Sequence, residues 1–185
     1  MKPTAATWRW ITLIIWLIAG LYFGSGGIAK IENYNLIKST IGEHDTTKVV
    51  YDGITFVNKG ALIRTLEEAQ MQAIFPWINS LPSYVSYIIT ACSFGLLGTI
   101  ISIFIQLAIY KQKLADLPVY TLPVLGLLTG FVMLGITFIF PALLFHSEKD
   151  IKASGLMFIC LFGGLYTEKL YERLAQLFNK TLGEK

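Results

Sequence analysis

Charge is scarce in this 185-residue chain: Asp, Glu, Lys and Arg make up 15% of it, against roughly a quarter of a soluble domain. That excludes a highly charged disordered chain. Cysteine occurs only as Cys92 and Cys160, both inside apolar runs. Neither a disulfide framework nor a Cys-x-x-Cys site can be built from them. Histidine occurs only as His44 and His146, without the His-x-x-His or His-Glu-x-x-His spacing of a metal site. A phosphate loop, a nucleophile elbow and a kinase signature are all lacking. Gly24-Ser25-Gly26-Gly27 is glycine-rich but lacks the Lys that completes a phosphate cradle. No enzymatic activity and no catalytic, cofactor or metal residues are therefore expected. The formal net charge of +3 and the pI of 8.8 are too modest to predict direct nucleic-acid binding.

What the chain has instead is apolar residue, 54% of the total, with a mean hydropathy of +0.59. These residues come in blocks matched to a hydrocarbon core roughly 30 Å thick. The first, Trp10 to Ala29, follows Lys2 and Arg9 and begins with Trp8, Trp10 and Trp16, two of them at the depth expected of an interfacial aromatic belt. It reads as a span, although Ile11–Phe23 followed by Gly-Ser-Gly-Gly also has the form of a signal peptide. The second, Tyr84 to Tyr110, contains no charged residue, and Gln106 is its one strongly polar side chain. The third, Leu117 to Phe145, carries Pro118 and Pro123, expected in a turn before the helix, and Pro141, expected to kink it. The fourth, Ala153 to Thr167, is short. Leu170, Tyr171, Leu174, Leu177 and Phe178 then recur at helical spacing and predict a continuation as an amphipathic surface helix.

The expected fold class is thus an all-α membrane protein with four transmembrane helices. Spans at 1–29 (with the N-terminus), 84–110, 117–145 and 153–185 (with the tail helix) are separated by an extracytoplasmic segment at 30–83, a cytoplasmic loop at 111–116 and an extracytoplasmic loop at 146–152. Basic residues of short flanking segments set orientation. Lys2, Arg9, Lys111, Lys113, Lys169, Arg173, Lys180 and Lys185 would share one side, which predicts both termini in the cytoplasm of a bacterial inner membrane. Lys149 and Lys152 fall on the other side, and the basic residues of the long outer segment are balanced by its acids, among them Glu43 and Asp45.

The outer segment is patterned. Ile31, Tyr34, Ile37 and Ile41 predict a helix running on from span one and stopped by Gly42. Val49–Tyr51 and Ile54–Val57 flank Asp52-Gly53, the dipeptide of a type I′ hairpin turn. Leu62, Ile63, Leu66, Ala69 and Ile74 predict a second helix. Such a segment suits a small α+β cap that meets something outside the cytoplasm.

Small residues mark close helix packing and oligomerisation: Gly20 and Gly24 in span one, Gly95, Gly98 and Ser102 in span two, Gly126 and Gly130 in span three, Gly163 and Gly164 in span four. In lipid such faces let backbones approach where no hydrophobic driving force operates. Lys111 and Lys113, with Glu168, Lys169, Glu172 and Arg173, form the candidate docking surface for a soluble cytoplasmic partner.

Two resemblances add expectations. Ser25-Gly26-Gly27-Ile28-Ala29-Lys30 looks like the pattern closing the first helix of DoxX-type proteins, which implies a redox-linked role. The long outer segment and the acid-free second span depart from that family. Gly164-Leu165-Tyr166-Thr167-Glu168-Lys169, running into a charged helix, is similar to the membrane subunit of the antiphage system Kiwa, as is the four-span plan. That resemblance implies an oligomeric envelope sensor that holds a soluble effector at the inner membrane. The expectation is a non-enzymatic, homo-oligomeric sensor or scaffold in the lipid bilayer. A pore subunit lined by Gln106, Thr129 and Thr137 is the alternative.

Overall fold

The computed structural model describes residues 5–40, 48–111, 113, 117–139 and 153–182. Lys2, Ile41, Gly42, Glu43, His44, Asp45, Pro141, His146, Lys149, Lys152 and Lys185 lie outside the described residues, as do the side chains of Tyr34, Ile37, Leu174, Leu177, Phe178 and Lys180. The expected stop at Gly42, the kink at Pro141 and the loop at 146–152 fall there too.

The chain is mostly helical with one two-stranded sheet. Its elements are α1 (Ala5–Thr40), β1 (Val49–Tyr51), β2 (Ile54–Phe56), α2 (Lys59–Ile74), α3 (Pro76–Asn79), α4 (Ser83–Ala108), α5 (Thr121–Ile139), α6 (Ala153–Leu165) and α7 (Thr167–Leu182). Among the described residues two helices are long and apolar enough to cross a membrane, Ala6–Asn33 of α1 and Ser83–Ala108 of α4. Two shorter apolar helices accompany them, Thr121–Thr137 and Ala153–Leu165.

The centre is α4, against which α1, α5 and α6 all pack. Its packed face is made of small residues. Gly95, Leu96, Leu97, Gly98, Thr99 and Ile100 are buried in succession, which requires neighbours on more than one side. One apolar cluster joins Leu13, Ile103, Leu117, Val119 and Leu122 near one end of the bundle. Another joins Ala91, Leu134, Leu156 and Cys160. Helix α1 is peripheral: its most apolar window is 28% buried, against 56% for α4. Ile14, Ile15, Ile18 and Leu21 are exposed along it. Aromatic side chains stand exposed near the helix ends, with Trp8 and Trp10 at the start of α1, Trp77 in α3, Tyr84 and Tyr110 around α4, and Tyr120 before α5.

The hairpin pairs Val49 with Phe56 and Tyr51 with Ile54. Asp52 (φ 48) and Gly53 (φ 77) both occupy the left-handed region, the backbone of the I′ turn that this dipeptide favours. Helix α2 begins where Asn58 accepts a hydrogen bond from the Ala61 N–H at 2.8 Å, an N-cap that satisfies one otherwise free donor. Its burial differs from the expected apolar face. Leu66, Ala69 and Ile74 are exposed and Met71 is buried, because the described neighbours of α2, namely α1, α3 and the hairpin, leave that side uncovered.

The prolines divide. Pro118 lies in the turn before α5, its carbonyl accepting from the Leu122 N–H at 3.0 Å. Pro123 lies within the first turn of α5, where a helix has no use for the missing donor. The predicted continuous last helix is interrupted at Tyr166 by a single turn residue. Hydrogen bonds from Tyr166 N–H to Phe162 (3.2 Å) and from Leu170 N–H to Tyr166 (2.9 Å) carry across the interruption.

Candidate functional site

Chemistry-bearing residues gather at the two ends of the helical bundle. At the α4–α7 end, one of the predicted docking residues makes a contact between helices: Gln106 Nε2 donates to Glu168 Oε2 at 3.1 Å. This bond ties the last turn of α4, just before Lys111, to the first turn of α7. Glu168 also suits its position, because a carboxylate in the first turn faces the positive end of the helix dipole. Lys169 Nζ sits 6.0 Å from the centre of the Tyr166 ring, a cation–π distance. Lys111, Lys113, Glu172 and Arg173 are all exposed. Lys111 adopts a φ of 50 as the chain leaves α4. Exposure leaves these side chains open to a partner.

Beneath that end, the bundle is held by hydroxyls and glycines. Thr167 Oγ1 donates to Thr129 Oγ1 at 3.1 Å, a buried bond between α7 and α5. Thr129 in turn donates to the Leu125 carbonyl at 2.8 Å, and Thr137 to the Leu134 carbonyl at 2.6 Å. Both threonines suggested as a polar lining are therefore buried within the chain. The glycines singled out for packing meet one another inside this same core. A Cβ at Gly95 would strike the Gly126 carbonyl and Gly130, one at Gly98 would strike α6 at Leu161 and Leu165, and one at Gly164 would strike the Gly95 carbonyl. Gly126 and Gly130 face Thr99 and Ala91, and Gly163 faces Met133. Gly20 and Gly24 face Leu97 and Phe94. Ser102 is half-buried on α4.

The other end holds residues that the sequence marked only as a glycine-rich stretch and through the DoxX-type resemblance, not as packing contacts. Gly26 and Gly27 are the close-contact points of α1: a Cβ at Gly26 would collide with Ile78 and Phe75, and one at Gly27 with Thr90. One turn on, the Lys30 ammonium donates to the carbonyls of Ile78 (3.0 Å) and Asn79 (2.8 Å) and also to that of Leu81. These carbonyls lie at and just past the end of α3, and a cation is the complement they lack. The available signal was the Gly-Gly pair one turn before a lone Lys at the end of an apolar block. Its partners are roughly fifty residues away, and no local pattern points to them.

Beside this latch lies a crevice of about 380 Å³ between the Ala29–Asn33 stretch of α1 and the last turns of α2. Glu32 and Asn33 come from α1, Glu67 and Gln70 from α2, and Met71, Ile74 and Phe75 form apolar wall. Asn33 Oδ1 and Glu67 Oε2 are inaccessible to solvent and accept no hydrogen bond. Among the described residues no group of three or more His, Cys, Asp or Glu is placed to hold a metal ion.

Comparison of the chain with protein-family models, curated proteins and solved structures finds no match. The reading of its function rests on the two ends of the bundle just described.

Proposed function

We propose that the protein is a non-enzymatic scaffold of the bacterial inner membrane, with four spans, both termini in the cytoplasm and several copies per assembly. Its α4–α7 end docks a soluble cytoplasmic partner, and its cap, residues 30–83, meets the envelope side. The single observation that carries this reading is the Gln106–Glu168 bond. It ties the turn of α4 that precedes Lys111 to the start of α7, where Glu168, Lys169, Glu172 and Arg173 are exposed.

Supporting the membrane placement are the two long apolar helices, the uncovered aliphatic face of α1 and the exposed aromatics near the helix ends. Helix α4, with exposed Tyr84 at its start and Tyr110 just past its end, has 26 residues and is about 39 Å long, close to the width of a bilayer with its interfacial zones. The shorter α5 and α6 lean on α4 and complete the four-span arrangement. The resemblance of Gly164–Lys169 to the Kiwa membrane subunit supplies the stimulus in this reading, envelope stress caused by phage.

The test is purification in mild detergent together with the product of the neighbouring gene. A stable complex is expected, lost when Lys111 and Lys113 are both changed to Glu. Conductance of liposomes carrying this protein alone, with no complex formed, would overturn the reading.

A further inference from the structure

The turn that leads from the cap into α4 satisfies its own backbone. It is not a continuous helix, because the short α3 begins at Pro76 and the chain turns again before Pro82. Its polar groups are nevertheless paired inside the chain. The amides of Phe75, Ile78, Asn79, Ser80 and Leu81 all donate to backbone carbonyls, and the two prolines have no amide to satisfy. Every carbonyl from Phe75 to Asn79, and those of Leu81 and Pro82, accepts a bond. Three of these carbonyls, on Ile78, Asn79 and Leu81, are served by the Lys30 ammonium. Asn79 Nδ2 donates in turn to Gln72 Oε1 at 3.0 Å. A turn surrounded by water needs no such internal pairing, whereas one set against lipid does, because lipid offers no partner.

The side chains that point outward are apolar. Ile74 is 62% exposed, Trp77 76% and Tyr84 69%. No charged residue occurs from Ala69 to Tyr110, a run that starts well ahead of α4 at Ser83. Contacts with α1 set the depth of this surface. The Phe75 ring rests on Tyr22 with centres 5.3 Å apart, and Phe75 and Ile78 lie against Gly26. The apolar stretch of α1 has 28 residues and ends at Asn33, a length of about 42 Å that matches a bilayer with its interfacial zones. Gly26 lies two turns, about 10 Å, before that end. This is close to the boundary between headgroups and hydrocarbon, where Trp and Tyr are enriched.

We propose that Ile74–Tyr84 is a lipid-binding surface, seated at the headgroup–hydrocarbon boundary of the leaflet on the side of the cap. Trp77 lies among the lipids, and the Lys30 ammonium takes the place of water at the carbonyls of the turn. The absence of charge from this surface means that zwitterionic lipid suffices. The proposal rests on the membrane placement of α1 and α4 and not on the docking role.

The experiment uses the full chain in phosphatidylcholine nanodiscs, with Trp8, Trp10 and Trp16 changed to Phe so that Trp77 is the one indole. Its fluorescence is quenched from the lipid side by phosphatidylcholine brominated near the glycerol end or near the methyl end of its acyl chains, and from the water side by iodide. Glycerol-end bromines are expected to quench severalfold more than methyl-end bromines, and iodide severalfold less than it quenches free tryptophan amide. Lys30→Met, confirmed as folded by its melting temperature, should raise iodide quenching and lower bromine quenching. Iodide quenching equal to that of the free amide overturns the proposal, as does a Lys30→Met chain with unaltered quenching. Protection of Trp77 from both quenchers, the result if a second copy or a protein partner covers it, also overturns it. A companion chain keeping only Trp10, which is exposed on α1, separates the two failures. Bromine quenching of Trp10 without that of Trp77 overturns this proposal alone, and quenching of neither overturns the membrane placement as well.

Discussion

Single residues set how closely this bundle closes. Gly164 and Gly95 are backbone against backbone, so any side chain there must push α6 off α4. Gly164→Ala is expected to cost about 1–3 kcal/mol, the usual range for overpacking, read as a lower melting temperature in detergent. Gly135 is the internal control. Nothing lies within 4 Å of a Cβ built there, so Gly135→Ala should leave stability unchanged or raise it by up to about 1 kcal/mol through helix propensity. Lys30 makes the opposite kind of contact, long-range and charged. Lys30→Met removes the donor from three carbonyls and should cost about 2 kcal/mol, the scale of hydrogen bonds to charged groups. The same change should speed proteolytic cleavage between Phe75 and Ser83, the segment the ammonium holds.

At the scale of elements, what was legible in the sequence was what is encoded locally. Asp52-Gly53 specifies its turn by backbone conformation alone, and the strands formed on either side of it. Gly53→Ala places a side chain at φ 77, which should cost about 1 kcal/mol or more and be visible as loss of the cross-strand amide contacts between Val50 and Thr55 by NMR. The long apolar helices were equally legible, since length and composition suffice to recognise them. The contacts that shape both candidate sites were not. Thr167 meets Thr129, and Lys30 meets Ile78, through the tertiary fold, and the spacing of these residues along the chain carries no trace of it. The exposed face of α2 failed for a related reason. Periodicity says which residues share a side of a helix, but Leu66 and Ile74 are covered only if another element arrives. The small-residue faces were recognised as contacts. The structure brings them together within one chain, and it is the Gly95–Gly126–Gly164 meeting that closes α4, α5 and α6.

At the scale of the molecule, α4 is the hub and α1 its peripheral neighbour. The four-span reading makes a sharp prediction about sidedness. Cysteine replacements at Asn58 and at Lys113, in a background lacking Cys92 and Cys160, should be labelled by a membrane-impermeant maleimide from opposite faces in intact cells and inverted vesicles. Labelling of both from the same face would remove the cap from the envelope side and the sensing role with it.

The lopsided cover of α1 also bears on how the chain is made. Its apolar stretch ends at Asn33, whereas the helix it rests against is complete only at Ala108. At a synthesis rate of roughly 5–20 residues per second, α1 waits about 4–15 seconds for that neighbour. On the four-span reading it resides in the bilayer by itself during this interval. A helix dressed with Ile14, Ile15, Ile18 and Leu21 on its outward side can do so, whereas α6, made after α4 and α5, finds its dock already built. On that reading the helix that must wait is the one able to stand alone.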